Sequence, residues 1–200
     1  MLESLRKYVS GYVALTDEEF RLLADKIIVR SFDRREQLLR IGEVEKYMNF
    51  VVQGLARMYF CKGKAELITN IAGEGELLSS SASFLSGTPS HYCIETLEPT
   101  TLLSITRDHL DEIYQQSVRI ERLGRLLTTQ FVMQKEEWEY ECIRLDARER
   151  FTRFMERNPA LVTRVPQKYL ASYLNMKPET FSRLKSQLGK RPATGKLFAK

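Results

Sequence analysis

The chain is poor in the residues that build metal centres and disulfide frameworks: its 200 residues include three cysteines, Cys61, Cys93 and Cys142, and two histidines, His91 and His109. The cysteines are odd in number, widely spaced and free of any C-x-x-C pair, so they predict reduced packing residues rather than a disulfide framework or a zinc ribbon. No H-x-x-x-H or H-E-x-x-H spacing occurs, which leaves a metalloenzyme without ligands, and neither a metal nor another cofactor is expected. Long hydrophobic runs are also missing; none approaches the roughly 18 residues of a membrane span. The opening MLESLRKYVSGYVAL lacks the three regions of a signal peptide. A protein that stays in the cytoplasm, with no membrane partner, is therefore expected. There is no internal repeat and no low-complexity segment, and only GKRPATGKLFAK at the end reads as loosely ordered.

What is present is enough apolar content, 43%, to bury a core in one large domain or two small ones. Charge is unevenly distributed. From Arg144 to Lys200 there are 14 Lys and Arg against 4 Asp and Glu, a net of +10; the remaining 17 and 22 leave −5 for residues 1–143. Lys and Arg that neutralise phosphates release condensed counterions, so a polyanion is a natural partner for the basic quarter. Charge alone does not separate that reading from an ordinary solvated basic surface.

Thr16-Asp17-Glu18-Glu19 fits a capping box and predicts a short helix over about 16–26, with Phe20, Leu22 and Leu23 on its apolar face. From Ile27 to Thr106 the texture changes to the short runs IIVRSF, EQLLRI, MNFVVQG, LARMYF, ELITNIA, YCIETL and TTLLSI. Glycine-marked turns separate them at Gly42, Gly54, Gly63, Gly73 to Gly75 and Gly87. Such spacing predicts an antiparallel barrel or roll. Beyond Arg107 only Gly124 interrupts a helical stretch that lasts to Pro159. Within it Ile120, Leu123, Leu127, Phe131, Gln134 and Trp138 step by three and four in a narrow stripe. That stripe suits pairing with a second copy, the competing reading being that it packs on the chain's own roll. Leu145-Asp146 predicts a break; Asp146, with Glu149 three residues on, caps a further helix whose inner face is Phe151, Phe154 and Met155. Asn158-Pro159 ends it.

The most informative segment is QKYLASYLNMKPETFSRLK, Gln167 to Lys185. Its apolar residues are Leu170, Leu174, Met176, Phe181 and Leu184, and the small Ala171 lies where two helices cross closely. Asn175 falls at the turn, which needs tolerance of the left-handed conformation. Pro178 fits the first turn of a second helix. Two helices joined in this way form a helix-turn-helix, whose second helix can enter the major groove. Arg183 can pair bidentately with guanine, and Glu179 can accept from a cytosine amino group or orient Arg183. Lys177, Thr180, Ser182, Lys185 and Lys168 are the candidates for phosphate contact or support. An αα-hairpin within a helical bundle is the alternative, and it leaves the +10 unexplained.

The order helix, roll, long helix, helix-turn-helix, with Glu179 and Arg183 in the pattern E-T-x-x-R, resembles the Crp/Fnr family of bacterial transcription regulators from about Leu15 to Leu188. The resemblance implies an α+β fold in three parts. Residues 1–117 would be a sensor domain, an antiparallel β-roll of the cyclic nucleotide-binding-like, double-stranded β-helix kind. Residues 118–145 would be a long dimerisation helix, and residues 146–200 a helix-turn-helix DNA-binding domain. By the same resemblance Glu179 and Arg183 match the family's base-reading pair, while Pro178 stands where the family often has arginine. The implied partners are double-stranded DNA, a second copy of the chain, RNA polymerase and an unidentified small effector.

Departures from the family pattern concern the effector. Members that bind cyclic nucleotides carry a glutamate for the ribose and an arginine-serine pair for the cyclic phosphate. In the stretch GELLSSSASFLSGTPSHY, Ser80 falls where the glutamate belongs and Ser90-His91 where arginine-serine belongs. A buried phosphate charge without a cation would cost several kcal/mol. Lys135-Glu136 likewise replaces the hydroxyl residues that would meet an adenine. The expectation is a degenerate effector pocket at Ser79, Ser80, Ser81, Ser90 and His91, unresponsive to cyclic AMP, in which serines could still bond a small anion or simply form a polar loop. An iron–sulfur cluster lacks its cysteinates, and haem lacks an axial ligand, His91 reading as a loop residue and His109 as the solvated start of the helical stretch. Twelve residues follow Leu188, too few for a full two-stranded wing, leaving Lys190, Arg191 and Lys196 to touch phosphate. Beside the regulator stand two other classes. One is a small-molecule sensor or binding module whose C-terminal helices mediate protein contacts; the other, an enzyme on a cupin-like barrel, lacks clustered His and carboxylate ligands.

Overall fold

Strands that are apolar on both faces need two separate cores, and the roll supplies them. In the computed structural model, which describes residues 1–188, the chain divides into two units, Met1–Glu136 and a second beginning at Glu137. The first unit opens with α1 (Leu2–Ser10) and α2 (Asp17–Asp25). Eight antiparallel strands follow: β1 (Ile28–Phe32), β2 (Gln37–Leu39), β3 (Tyr47–Gln53), β4 (Ala56–Lys62), β5 (Ala65–Ala72), β6 (Leu77–Leu78), β7 (Cys93–Thr96) and β8 (Thr100–Thr106). They form two four-stranded sheets, ordered β1-β8-β3-β6 and β2-β7-β4-β5. Leu102 and Val51 point between the sheets onto Leu39, Met58, Leu78 and Ile94. Their neighbours Leu103 and Phe50 point outward, onto Leu5, Val9, Phe20 and Leu23 of the first two helices and Ile113 of α4 (Arg107–Gln116). The central strands β3 and β8 are thus covered on both faces, which is why they read as continuous apolar runs, while β1 at the edge of the sheet stays largely exposed.

The turns follow the expected glycines. Gly54 has φ +96°, and a Cβ there would meet the carbonyl of Pro99 and lie 2.6 Å from Thr100 Oγ1, so backbone conformation and close approach both require glycine. The capping box at α2 is complete: Glu19 accepts from the Thr16 N–H at 2.9 Å, and the Glu19 N–H donates to Thr16 Oγ1 at 3.2 Å. Four short elements lie outside the sequence expectation: α1, β6, α3 (Ser81–Ser86) and α7 (Pro159–Arg164). Helix α1 buries Leu5 and Val9, one turn apart, and β6 is only two residues long.

The long helical stretch is two helices, α4 and α5 (Val118–Arg144), separated by Ser117 in extended conformation. The Ser117 hydroxyl accepts from the Ile120 N–H at 3.2 Å and donates to Glu19 at 2.9 Å, so one serine caps α5 and ties it to α2. Gly124 is the place where the Tyr114 ring lies directly on α5; a Cβ would come within 2.6 Å of its Cζ.

The stripe expected to pair two copies meets several different surroundings within the chain. Ile120 (1% exposed) and Leu123 (3%) sit in the unit's own core, with Leu127 packed against it. Phe131 is half-buried with the Lys135 ammonium 5.5 Å from its ring centre. Trp138 stacks on Tyr173 in the second unit, centroids 5.0 Å apart. Of the six residues only Gln134 is exposed. Hydrophobic spacing by threes and fours marks a buried face without saying whether it is buried against the same chain or another, and here the first unit's core takes only Ile120, Leu123 and Leu127. The large apolar residues that α5 leaves open are Val118, Val132, Met133, Tyr140 and Ile143. The division into units also falls inside α5, after Glu136, rather than at its two ends.

The second unit continues from the last turns of α5 into α6 (Ala147–Arg157), α7 (Pro159–Arg164), α8 (Gln167–Tyr173) and α9 (Pro178–Leu188). Asp146, extended, makes the expected break and caps α6 with a reciprocal box to Glu149. Asn158 ends α6, and Pro159 at once starts the short α7. No helix among the described residues is long and apolar enough to cross a membrane.

Candidate nucleic-acid interface

The helix-turn-helix is assembled from the inside out. Leu170, Ala171, Leu174 and Phe181 are fully buried, and Leu184 is nearly so. Phe181 meets Phe151 of α6 edge-on, centroids 5.1 Å apart at 82°, and Phe154 meets Tyr173 at 5.9 Å. Asn175 adopts φ +51°, the left-handed residue the turn needs. Its N–H donates to Ser172 O and that of Met176 to Ala171 O, each at 3.0 Å, satisfying carbonyls at the end of α8. Burying Phe181 and Leu184 fixes the rotation of α9 about its axis, and the opposite face carries Glu179, Ser182 and Arg183, all exposed, with the exposed Lys177 immediately before the helix. Thr180 and Lys185 are half-buried, so they flank this face; Lys168, exposed on α8, has its ammonium 4.7 Å from the Tyr169 ring centre. Glu179 and Arg183, four residues apart, rise from the same side of the helix.

Two buried charged residues behind this face escape sequence reading. The Glu141 carboxylate accepts from Arg153 at 3.0 Å and Arg157 at 3.1 Å, joining α5 to α6. Arg150, buried, donates only to backbone carbonyls: Leu174 and Asn175 at the turn, Cys142 and Leu145 at the end of α5. In the sequence both look like solvated helix charges. The one signal was position, since Arg150 directly precedes Phe151 on the inner side of α6. The expected tail contacts of Lys190, Arg191 and Lys196, and any wing, lie outside the described residues.

The expected effector pocket is drawn together around α3 (Ser81–Ser86), where Ser79, Ser80 and Ser90 are buried and Ser81 is half-buried. His91 is exposed and stands apart from them. The serines are engaged with the protein itself. Ser79 donates to Tyr47 O at 3.1 Å, Ser90 bonds Ser80 Oγ at 2.8 Å and accepts from the Tyr92 N–H at 3.0 Å. Ser83 donates to Thr88 O and accepts from the Glu45 N–H at 2.9 Å. Glu45, which the sequence reading passed over, is buried against this cluster and accepts from the N–H groups of Tyr47 at 3.1 Å and Ser80 at 3.4 Å. Burial raises its pKa above the usual carboxylate range. His109 is half-buried rather than solvated, its Nδ1 without a partner among the described residues. Among those residues no group of three His, Cys, Asp or Glu converges as a metal site.

Residues 29–117 match the cyclic nucleotide-binding domain family. No curated protein sequence matches the chain. Among solved structures, FixK2 from Bradyrhizobium japonicum is 22% identical with a TM-score of 0.71, over 82% of this chain and 84% of that one. The catabolite activator protein of Thermus thermophilus is 20% identical, TM-score 0.57, over 88% and 85%. A protein of Eubacterium rectale assigned to the Crp/Fnr family is 14% identical, TM-score 0.65, over 88% and 84%. A roll of cyclic nucleotide-binding type over residues 29–117, followed by a long helix and a helix-turn-helix, gives this chain the fold of the Crp/Fnr-type regulators.

Proposed function

We propose that the protein is a DNA-binding transcription regulator of the Crp/Fnr type, cytoplasmic, homodimeric and unresponsive to cyclic AMP. The observation that carries this reading is the arrangement of α9. Phe181 is fully buried while Lys177, Glu179, Ser182 and Arg183 stand exposed on a chain segment of net charge +10. A solvent-facing helix start that offers a bidentate donor, an acceptor and flanking cations has what base-edge and phosphate recognition require. Two copies would set their α9 helices about 34 Å apart, one turn of DNA, so the operator is expected to be a two-fold palindrome. Because Ile120 and Leu123 are consumed by the roll, pairing falls to the apolar positions α5 leaves open, Val132 and Met133 first among them.

Selection of bound sequences from random DNA, with and without cell metabolites, tests the reading and identifies the site. Arg183→Ala is then expected to cost about 1 to 3 kcal/mol on the selected site and little on random DNA. Equal losses on both would reduce Arg183 to a phosphate contact.

Cyclic AMP independence is supported by the serine cluster. Its hydroxyls already bond the roll, and the Glu45 carboxylate, with Arg30 as its charged neighbour, lies against Ser80. A cyclic phosphate entering there would meet an acidic group and have to compete with it for Arg30. Calorimetric titration with cyclic AMP is expected to give no saturating heat; micromolar binding would overturn this part of the proposal.

A further inference from the structure

A cation removed from water normally needs a carboxylate. Arg150 is 8% exposed and, among the described residues, pairs with none. Its Nε donates to Leu174 O at 3.0 Å and its Nη2 to Asn175 O at 3.2 Å; its Nη1 donates to Leu145 O and, at 3.5 Å, to Cys142 O. The acceptors belong to two places, the C-terminal end of α5 and the end of α8 with its turn. Carbonyls there have no partner within their own helix, and each helix end carries about half an elementary negative charge. Two such ends together match one guanidinium, which accounts for a buried arginine with no acidic side chain beside it. The planar fork reaches both ends at once, which a lysine ammonium cannot do.

We infer that Arg150 is a positioning residue: it locks the turn of the helix-turn-helix to the last turn of α5, so that the pose of α9 follows that helix end. Leu174 and Asn175 lead directly into α9, and Asn175 is the left-handed residue of the turn. If the guanidinium lets go, the turn loses its tie to Leu145 and its local bonds, those of the Asn175 and Met176 N–H groups, open more often. The inference rests on the DNA-binding reading for its consequence, while the lock itself is measurable without DNA.

The test uses the full chain carrying Arg150→Lys, which keeps the charge and removes the fork. Helix content by circular dichroism is expected to match wild type. Affinity for the selected DNA sequence is expected to fall about tenfold while affinity for random DNA changes less than about twofold. By hydrogen exchange, the Asn175 and Met176 amides are expected to exchange about tenfold faster than in wild type. Wild-type values in both measurements overturn the lock; so does an equal fall on both DNAs with unchanged exchange at the turn, which would make Arg150 a contributor to bulk stability alone. A wild type that ignores DNA removes the DNA-binding reading, and the exchange result then decides the lock by itself. Should Arg150→Lys not fold, the wild type still answers. The Arg150 Nε–H is expected to give a resolved, slowly exchanging NMR signal, and its averaging with the solvent-exposed arginines would overturn the inference.

Discussion

Phe181→Ala is expected to unfold the helix-turn-helix unit while the roll stays folded. Phe181 is completely buried and meets Phe151 edge-on, and truncating such a ring costs about 3 to 5 kcal/mol through lost burial and the cavity left behind. The described part of this unit, residues 137–188, is a small domain. At about 0.05 to 0.15 kcal/mol per residue its whole stability is on the order of 3 to 8 kcal/mol, so one ring represents much of it. The chain's single tryptophan reports on this directly, because Trp138 stacks on Tyr173 within the unit. Urea titration followed by Trp138 fluorescence should show the transition moved to much lower denaturant, or already complete in buffer. The far-ultraviolet signal of the roll should persist. An unchanged fluorescence midpoint would mean that Phe181 is not the pin of this core.

The parts of the molecule legible in the sequence are those where local chemistry has one structural answer. Thr16 and Asp146, each with a glutamate three residues on, both became reciprocal capping boxes. Asn175 took the left-handed conformation assigned to it, and the seven apolar runs between glycines became seven of the eight strands. The rest depended on which surface meets which. Strand β6 is too short for any pattern, and α1 is a nine-residue helix whose inward face is Leu5, Val9 and the partly buried Tyr8. The Ile120 to Trp138 stripe has a correct helical period but several partners along its length, namely the roll core, the Lys135 ammonium and the Tyr173 ring. Period gives the face and not the neighbour. Arg150, Glu141 and Glu45 share one difficulty: a charged letter reads as solvent-facing, and only three-dimensional neighbours reveal that carbonyls, arginines or amide N–H groups replace the water.

The same distinction bears on the two candidate sites. On α9 the candidate face is defined by exclusion, since Phe181 and Leu184 turn inward and Glu179, Ser182 and Arg183 are left exposed. Sequence pattern is sufficient there. In the roll, a run of serines says nothing about whether its hydroxyls already have partners; that Ser79 bonds Tyr47 O, Ser83 bonds Thr88 O and Ser90 bonds Ser80 is visible only in three dimensions.

Val132→Glu with Met133→Glu is expected to abolish pairing and, with it, tight binding to a palindromic site. Both side chains are open on α5, 49% and 59% exposed, so the substitutions cost the monomer little. At a two-fold interface each new carboxylate would face apolar surface or its own copy, losing hydration without gaining a partner. Two linked helix-turn-helix units bind the two half-sites as one event, an advantage of about 10² to 10⁴ over a single unit. Loss of pairing should therefore lower affinity for the palindrome by about that factor while leaving affinity for an isolated half-site nearly unchanged. Sedimentation velocity is expected to show the wild type at twice the mass of the variant at micromolar concentration. A variant that sediments as the wild type does would move the interface elsewhere, and a wild type that is monomeric while bound to a palindrome would remove pairing from the mechanism.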